Sequence, residues 1–216
     1  MKKESKKLLI TALSLFLAFL LWTFAVISID VRNIGPMESS VGLSGVNGFF
    51  HNLTGTNMFL YKITDLLSII PFGIMAVFAV FGFLQLVKRK SIKKVDYNIL
   101  VLGGFYAVLM GIYFFFELFP VNYRPVLIDG ILEASYPSST TMLVLSVIPT
   151  AIMQFDFIIK NPVLKKILSV FMSIFAVFML IGRTFSGVHW ISDIIGGILI
   201  SFFLVSFYRF IVKIKE

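Results

Sequence analysis

The chain has no cysteine and only two histidines in 216 residues. The first absence excludes disulfides, Cys-ligated zinc, iron–sulfur clusters and thiol nucleophiles. The second leaves no support for a metal site, and no cofactor is expected. Charge is scarce as well, at 14% of the residues against the ~25% of a soluble domain, while apolar residues reach 58%. A soluble fold would have too little polar surface to cover that excess. Acidic residues are the minority sign, 11 against 19 Lys and Arg, which leaves a net charge of +8. The basic residues sit in short tracts between long apolar runs, and no polar domain carries an aromatic and basic face, so a nucleic-acid partner is not expected.

What the sequence does have is apolar length. The run from Leu8 to Ile29 follows a Lys-rich opening and exceeds the ~7–15-residue core of a cleaved signal peptide. It reads as an uncleaved first span. Further runs lie at about 66–87, 98–119, 139–157, 167–185 and 191–212, each of a length that can cross a bilayer. The run at 139–157 is broken in polarity by Ser146, Pro149 and Thr150, yet holds no charge before Asp156. Six spans put both termini on one side.

Charge placement predicts which side. Apart from Arg32, Lys62, Arg124 and Arg183, every Lys and Arg falls in the N-terminal tail, near 88–97, in 156–166 or in 209–216. Basic connectors are held inside, so both termini are expected to be cytoplasmic. The resulting reading is an all-α integral membrane protein of the cell membrane, a single domain over 1–216 with an interfacial helix within 30–65. Gly45, Asn47, Gly48, Asn52, Gly55 and Asn57 punctuate that last segment.

This topology gathers three polar segments on the extracytoplasmic rim. They are Asn122-Tyr123-Arg124-Pro125, Tyr136-Pro137-Ser138-Ser139-Thr140-Thr141 and the stretch from Gly182 to Asp193. His189 and Asp193 share a helix face at i,i+4, so Asp193 could hold one ring nitrogen and leave the other for a substrate; a structural pair would use the same spacing. Arg124 and Arg183 lie outside against the prevailing charge rule. Two guanidinium forks beside a His would make an electropositive cup for a phosphorylated headgroup, although each could also contact lipid phosphate or cap a helix. Pro137, Ser138, Ser139 and Thr140 open a span, where unpaired N–H groups favour an anion and ordinary capping uses the same residues.

These residues resemble the type 2 phosphatidic acid phosphatase superfamily, the six-span lipid phosphatases. The pattern of that family is a Lys, six residues and Arg-Pro; then Pro-Ser-Gly-His; then Ser-Arg, five residues, His, three residues and Asp. Arg124-Pro125, Pro137-Ser138, and Arg183, His189 and Asp193 match it at the family spacing, within a resemblance running from about Glu117 to Gly197. Three departures stand out. Glu117 occupies the Lys position, Thr140 the position of the second-stretch His, and Gly182 that of the third-stretch Ser.

The resemblance implies a role for each match. His189 would attack phosphorus to give a phosphohistidine and Asp193 would orient it. Arg124 and Arg183, with amides near Ser138 to Thr140, would stabilise the transferring oxygens. Tyr123 and Glu117 would border the headgroup. No residue inherits the acid role, and a general acid is typically worth ~10²–10⁴-fold. A lipid diphosphate such as a polyprenyl diphosphate would suffer least, because its leaving group is already a stabilised anion. The expected activity is hydrolysis of a phosphorylated membrane lipid at the extracytoplasmic face. The alternative is a weak or inactive relative that binds such a headgroup.

Overall fold

The computed structural model describes residues 3–215 and contains eight α-helices among them. They are α1 (Lys3–Ser28), α2 (Ser44–Thr54), α3 (Met58–Leu67), α4 (Ile69–Arg89), α5 (Tyr97–Leu118), α6 (Ser139–Ile158), α7 (Pro162–Phe185) and α8 (Ile191–Lys215). Six helical stretches are long and apolar enough to span a bilayer, with α3 and α4 together forming the second, Met58–Arg89. The chain is a multi-pass membrane protein with an all-α bundle.

The outward faces are greasy because lipid, not water, is their solvent. Leu17, Leu21 and Phe24 of α1, Val77 and Phe83 of α4, and Phe171 and Ile174 of α7 are all more than half exposed. Inward packing follows small or regularly spaced residues. Ser5, Ala12, Phe19 and Val26 are the buried positions of α1, one every seven residues, and that single stripe lies along α8. Glu4 reaches Lys213 at 3.8 Å, so the described ends of α1 and α8 share one end of the bundle. Among the spans α6 is the most enclosed, sandwiched between α7 and α8, with Thr140, Thr141, Ser146, Thr150 and Gln154 all buried.

The connectors are built, not slack. Asn161 caps α7 by accepting from the backbone N–H groups of Val163 and Leu164, with Pro162 at the first helical position. Between α5 and α6 the chain turns through Asp129 and Gly130, both at positive φ, flanked by bridges Ile128 to Ile131 and Tyr123 to Ala134. Asp-Gly suits the mirror-image hairpin turn because both residues tolerate left-handed backbone. That small hairpin sets Asn122 and Arg124 across from Ser135 and Glu133 through Ser135 N–H to Asn122 O (2.9 Å) and Arg124 N–H to Glu133 O (3.1 Å).

The segment 30–65 holds α2 and most of α3. Along α2, Val46, Phe49 and Leu53 are exposed while Asn47 is fully buried. Its side chain accepts from Ser192 N–H (3.1 Å) and donates to Ser192 Oγ (2.9 Å) and Gly42 O (2.7 Å), which docks α2 on the start of α8. The α2–α3 connector presses on the loop after α7, where Asn57 N–H donates to Ser186 O. Gly187 is required there: its φ is +65°, and a β-carbon would fall 1.8 Å from Gly55 O.

Candidate active site

The loop between α7 and α8 carries His189. His189 is 5% exposed and Asp193 is fully buried in the first turn of α8. No direct hydrogen bond joins the two, since Nδ1 and Oδ2 lie 3.9 Å apart. Ser135 fills the gap. Its Oγ is 3.0 Å from His189 Nδ1 and donates to Asp193 Oδ2 at 2.5 Å. The carboxylate also accepts from Trp190 N–H (3.0 Å), Asn122 Nδ2 (3.3 Å) and Ser192 Oγ (3.4 Å), so Asp193 ties the hairpin, the loop and α8 together. A buried carboxylate is costly without such partners. His189 Nε2 is buried with no hydrogen-bond partner among the described residues.

Burial, reinforced by the positive charges of Arg124 and Arg183, holds the His189 imidazole well below its ordinary pKa, while the Ser135 backbone acts in the opposite direction. The ring is therefore neutral at physiological pH, the state in which a nitrogen can act as a nucleophile.

Arg183 leaves the last turn of α7 almost fully buried, with its guanidinium over the Tyr61 ring at 5.1 Å, Nη1 donating to Thr64 Oγ1 at 3.4 Å and Nη2 3.6 Å from Asp65. Arg124 sits over the same ring at 5.7 Å. Its Nε is 3.0 Å from Glu133 Oε2 but outside hydrogen-bond geometry, so the contact is an ion pair only. Arg124 Nη1 and Arg183 Nε are buried without hydrogen-bond partners among the described residues. The aromatic face common to both cations orients them at modest cost.

Both arginines line a cavity of about 490 Å³ with Glu117, Tyr123, Ser139, Thr140, Asp65 and Glu133. The structure brings Arg124, Arg183, Tyr123, Thr140, Ser139 and Glu117 together around one cavity. The cup is less electropositive than expected, because three carboxylates share its wall with two guanidinium groups. His189 and Asp193 are not among the residues that line it. Ser138 is buried too; its N–H donates to Asp193 O (3.0 Å) and its Oγ accepts from Thr141 (3.0 Å), while Pro137 adjoins a small neighbouring void with Glu117 and Ser135. Tyr123 contributes its backbone carbonyl, which accepts from Trp190 Nε1 at 2.7 Å.

Residues 117–215 match the PAP2 superfamily. The whole bundle is similar to the crystal structure described as that of the first transmembrane PAP2 type phosphatidylglycerolphosphate phosphatase from Bacillus subtilis. The TM-score is 0.62 at 18% identity, covering 95% of this chain and 98% of that one. At such identity the likeness establishes a common fold. No curated protein matches the chain.

Within the PAP2 framework, one departure has a packing reason. A β-carbon on Gly182 would fall 2.6 Å from Thr64 Cγ2, so α3 occupies the space of the family Ser. Sequence reading passed over Ser135, Tyr61, Asp65 and Glu133. Only Ser135 gave any signal, a lone hydroxyl two residues before Pro137.

Proposed function

We propose that the chain is a phosphatase acting on a membrane lipid phosphate, preferably a lipid diphosphate, at the extracytoplasmic face. The observation that carries this reading is a neutral, buried His189 whose unpartnered Nε2 lies among the elements that hold Arg124 and Arg183. In the first step the Nε2 lone pair forms a bond to phosphorus. The bond from phosphorus to the bridging oxygen breaks, and its electron pair departs with the lipid monophosphate. Water then attacks the phosphohistidine, the N–P bond breaks, and inorganic phosphate leaves.

Arg124 and Arg183 would hold the equatorial oxygens through charge-assisted hydrogen bonds. Glu117 and Thr140 are the two side chains of the cavity wall that stand at the family Lys and His positions. A protonated Glu117 could supply the proton that Thr140 supplies poorly, and a diphosphate needs it least. The extracytoplasmic placement rests on the basic connectors at the other end.

A second reading is favoured by the absence of His189 from the cavity lining and by the pairing of each arginine with a carboxylate. It makes the chain a binder of phosphorylated headgroups without turnover. Phosphate release from a lipid diphosphate and a lipid monophosphate, measured on purified wild type and His189→Ala, separates the two. Turnover lost in His189→Ala is the expected result; a folded wild type that binds both lipids and releases phosphate from neither would leave the binder.

A further inference from the structure

We infer that Ser135 is a positioning residue that relays the Asp193 carboxylate to His189 and fixes which ring nitrogen is free to attack. The proposal rests on the reading of His189 as the nucleophile. Geometry supplies the argument. At 3.9 Å, Asp193 Oδ2 is too far from Nδ1 for a hydrogen bond, whereas Ser135 Oγ lies 2.5 Å from the carboxylate and 3.0 Å from the ring. A hydroxyl carries one proton and two lone pairs. An ionised carboxylate can only accept, so the hydroxyl proton must point to Asp193. Ser135 Oγ then has only lone pairs to offer the imidazole, and Nδ1 must be the nitrogen that bears hydrogen.

The consequence is that Nε2 carries the lone pair. Nε2 is also the ring atom left without a hydrogen-bond partner among the described residues, which is where a nucleophilic nitrogen should be. When phosphorus bonds to Nε2 the ring becomes cationic. Its Nδ1–H then donates to Ser135 Oγ, whose own proton remains on the carboxylate side, so the negative charge of Asp193 is felt through one intervening hydroxyl. Ser135 can serve this way because the Asn122 backbone accepts from its N–H at 2.9 Å, and the same Asn122 side chain holds the other carboxylate oxygen. The hairpin thus aligns donor and acceptor from both ends. Asp193→Asn should be worse than a simple loss of charge. An amide N–H offered to Ser135 Oγ frees the hydroxyl proton to turn toward Nδ1, which moves the ring proton to Nε2 and blocks attack.

The test is nitrogen-15 NMR of the full chain in lipid nanodiscs, labelled at histidine and purified without a histidine tag. With two histidines in the sequence, a His51→Asn background leaves His189 as the single imidazole. Wild-type Ser135 is expected to give the Nδ1–H form, Ser135→Ala to shift the population toward Nε2–H, and Ser135→Thr to restore it. Ser135→Ala should also lower kcat roughly tenfold or more with KM little changed, the effect of one buried hydrogen bond. Asp193→Asn should add little in the Ser135→Ala background, since both act on one route. An Nε2–H form in wild type, or an unchanged tautomer in Ser135→Ala, overturns the proposal. Should Ser135→Ala fail to fold, an unchanged tautomer in Asp193→Asn overturns it equally. The outcomes separate from the phosphatase reading: an Nδ1–H ring in a folded protein without turnover sinks that reading and leaves the relay, and an active enzyme indifferent to Ser135→Ala does the reverse.

Discussion

Gly196 and Tyr136 meet without a gap: a β-carbon on Gly196 would fall 2.5 Å from Cε2 of the tyrosine ring. Tyr136 in turn places Ser135 beside His189, and its hydroxyl is 2.6 Å from Thr23 Oγ1 of α1. Gly196→Ala is therefore expected to push the ring and the Ser135 segment away from α8. Overpacking of this kind costs about 1–3 kcal/mol. A lowered midpoint of thermal unfolding in detergent, with phosphate release reduced more than by Gly103→Ala, is the expected result. Gly103 is a suitable control because nothing lies within 4 Å of its added carbon.

The two guanidinium groups differ from Arg32 and Lys62 by facing one cavity. Arg124→Ala and Arg183→Ala should each weaken binding of vanadate roughly 10- to 100-fold, the value of hydrogen bonds to a charged partner. Arg32→Ala should change it little, because Arg32 pairs with Asp30 at 2.8 Å and does not line the cavity. Calorimetric titration of all three variants checks this, and equal losses would reduce the cup to general surface electrostatics.

Acid should cost the folded protein a specific increment through His189. Its pKa is depressed in the fold by burial and by two nearby cations, whereas an unfolded imidazole titrates near ~6.5. The unfolded chain thus binds the extra proton as pH drops. The stability linked to the neutral ring is complete above ~6.5 and is lost progressively below it. His51 is also held low by burial, but it is common to wild type and variant. The midpoint of unfolding should fall more for wild type than for His189→Gln between about pH 7 and pH 5. Parallel curves would mean that the ring is not buried in its neutral form.

Orientation can be read directly, because the chain has no native cysteine to mask. A cysteine at Lys93 is expected to react with an impermeant maleimide only after the membrane is opened, and one at Asp129 in intact cells. Reaction of the first in intact cells would put the cavity on the cytoplasmic side and remove the proposed location of the activity.

How far the sequence reached follows from the range of the forces involved. Spans were legible because bilayer thickness sets a length and expels charge, and the limits expected for α6, 139–157, fall within a residue of Ser139–Ile158. The spacing of His189 and Asp193 was legible for the same local reason. Ser135 was not, because its role depends on a hairpin folding back over the bundle, and a serine in a loop carries no periodic signal. Asp65 and Glu133 escaped notice since neither lies in the motif stretches, yet they decide the charge of the cavity by facing the arginines from α3 and from the hairpin. Gly182 read as a lost hydroxyl, and its packing reason became visible only with Thr64 beside it.

Thr140 offers the most informative substitution. It is 5% exposed, opens α6 and lines the cavity that holds both arginines. Thr140→His would restore an imidazole at the place where the PAP2 pattern has one, with about 490 Å³ of open volume beside it to receive the larger ring. The gain should depend on the leaving group. A lipid monophosphate expels an alkoxide that needs a proton as the bond breaks, and a positioned acid contributes about 10²–10⁴-fold to such a step. A lipid diphosphate expels a phosphate anion and needs it much less. Thr140→His is therefore expected to raise turnover on the monophosphate by at least about tenfold and to leave the diphosphate rate within a few-fold, with Thr140→Gln as the control for bulk. Both rates should vanish in the His189→Ala, Thr140→His double variant, because a restored acid has nothing to act on without the nucleophile. A monophosphate rate that stays flat in a folded Thr140→His protein would show that the proton reaches the leaving group by another route, and Glu117→Gln, measured on the same two lipids, would then be the variant that abolishes it.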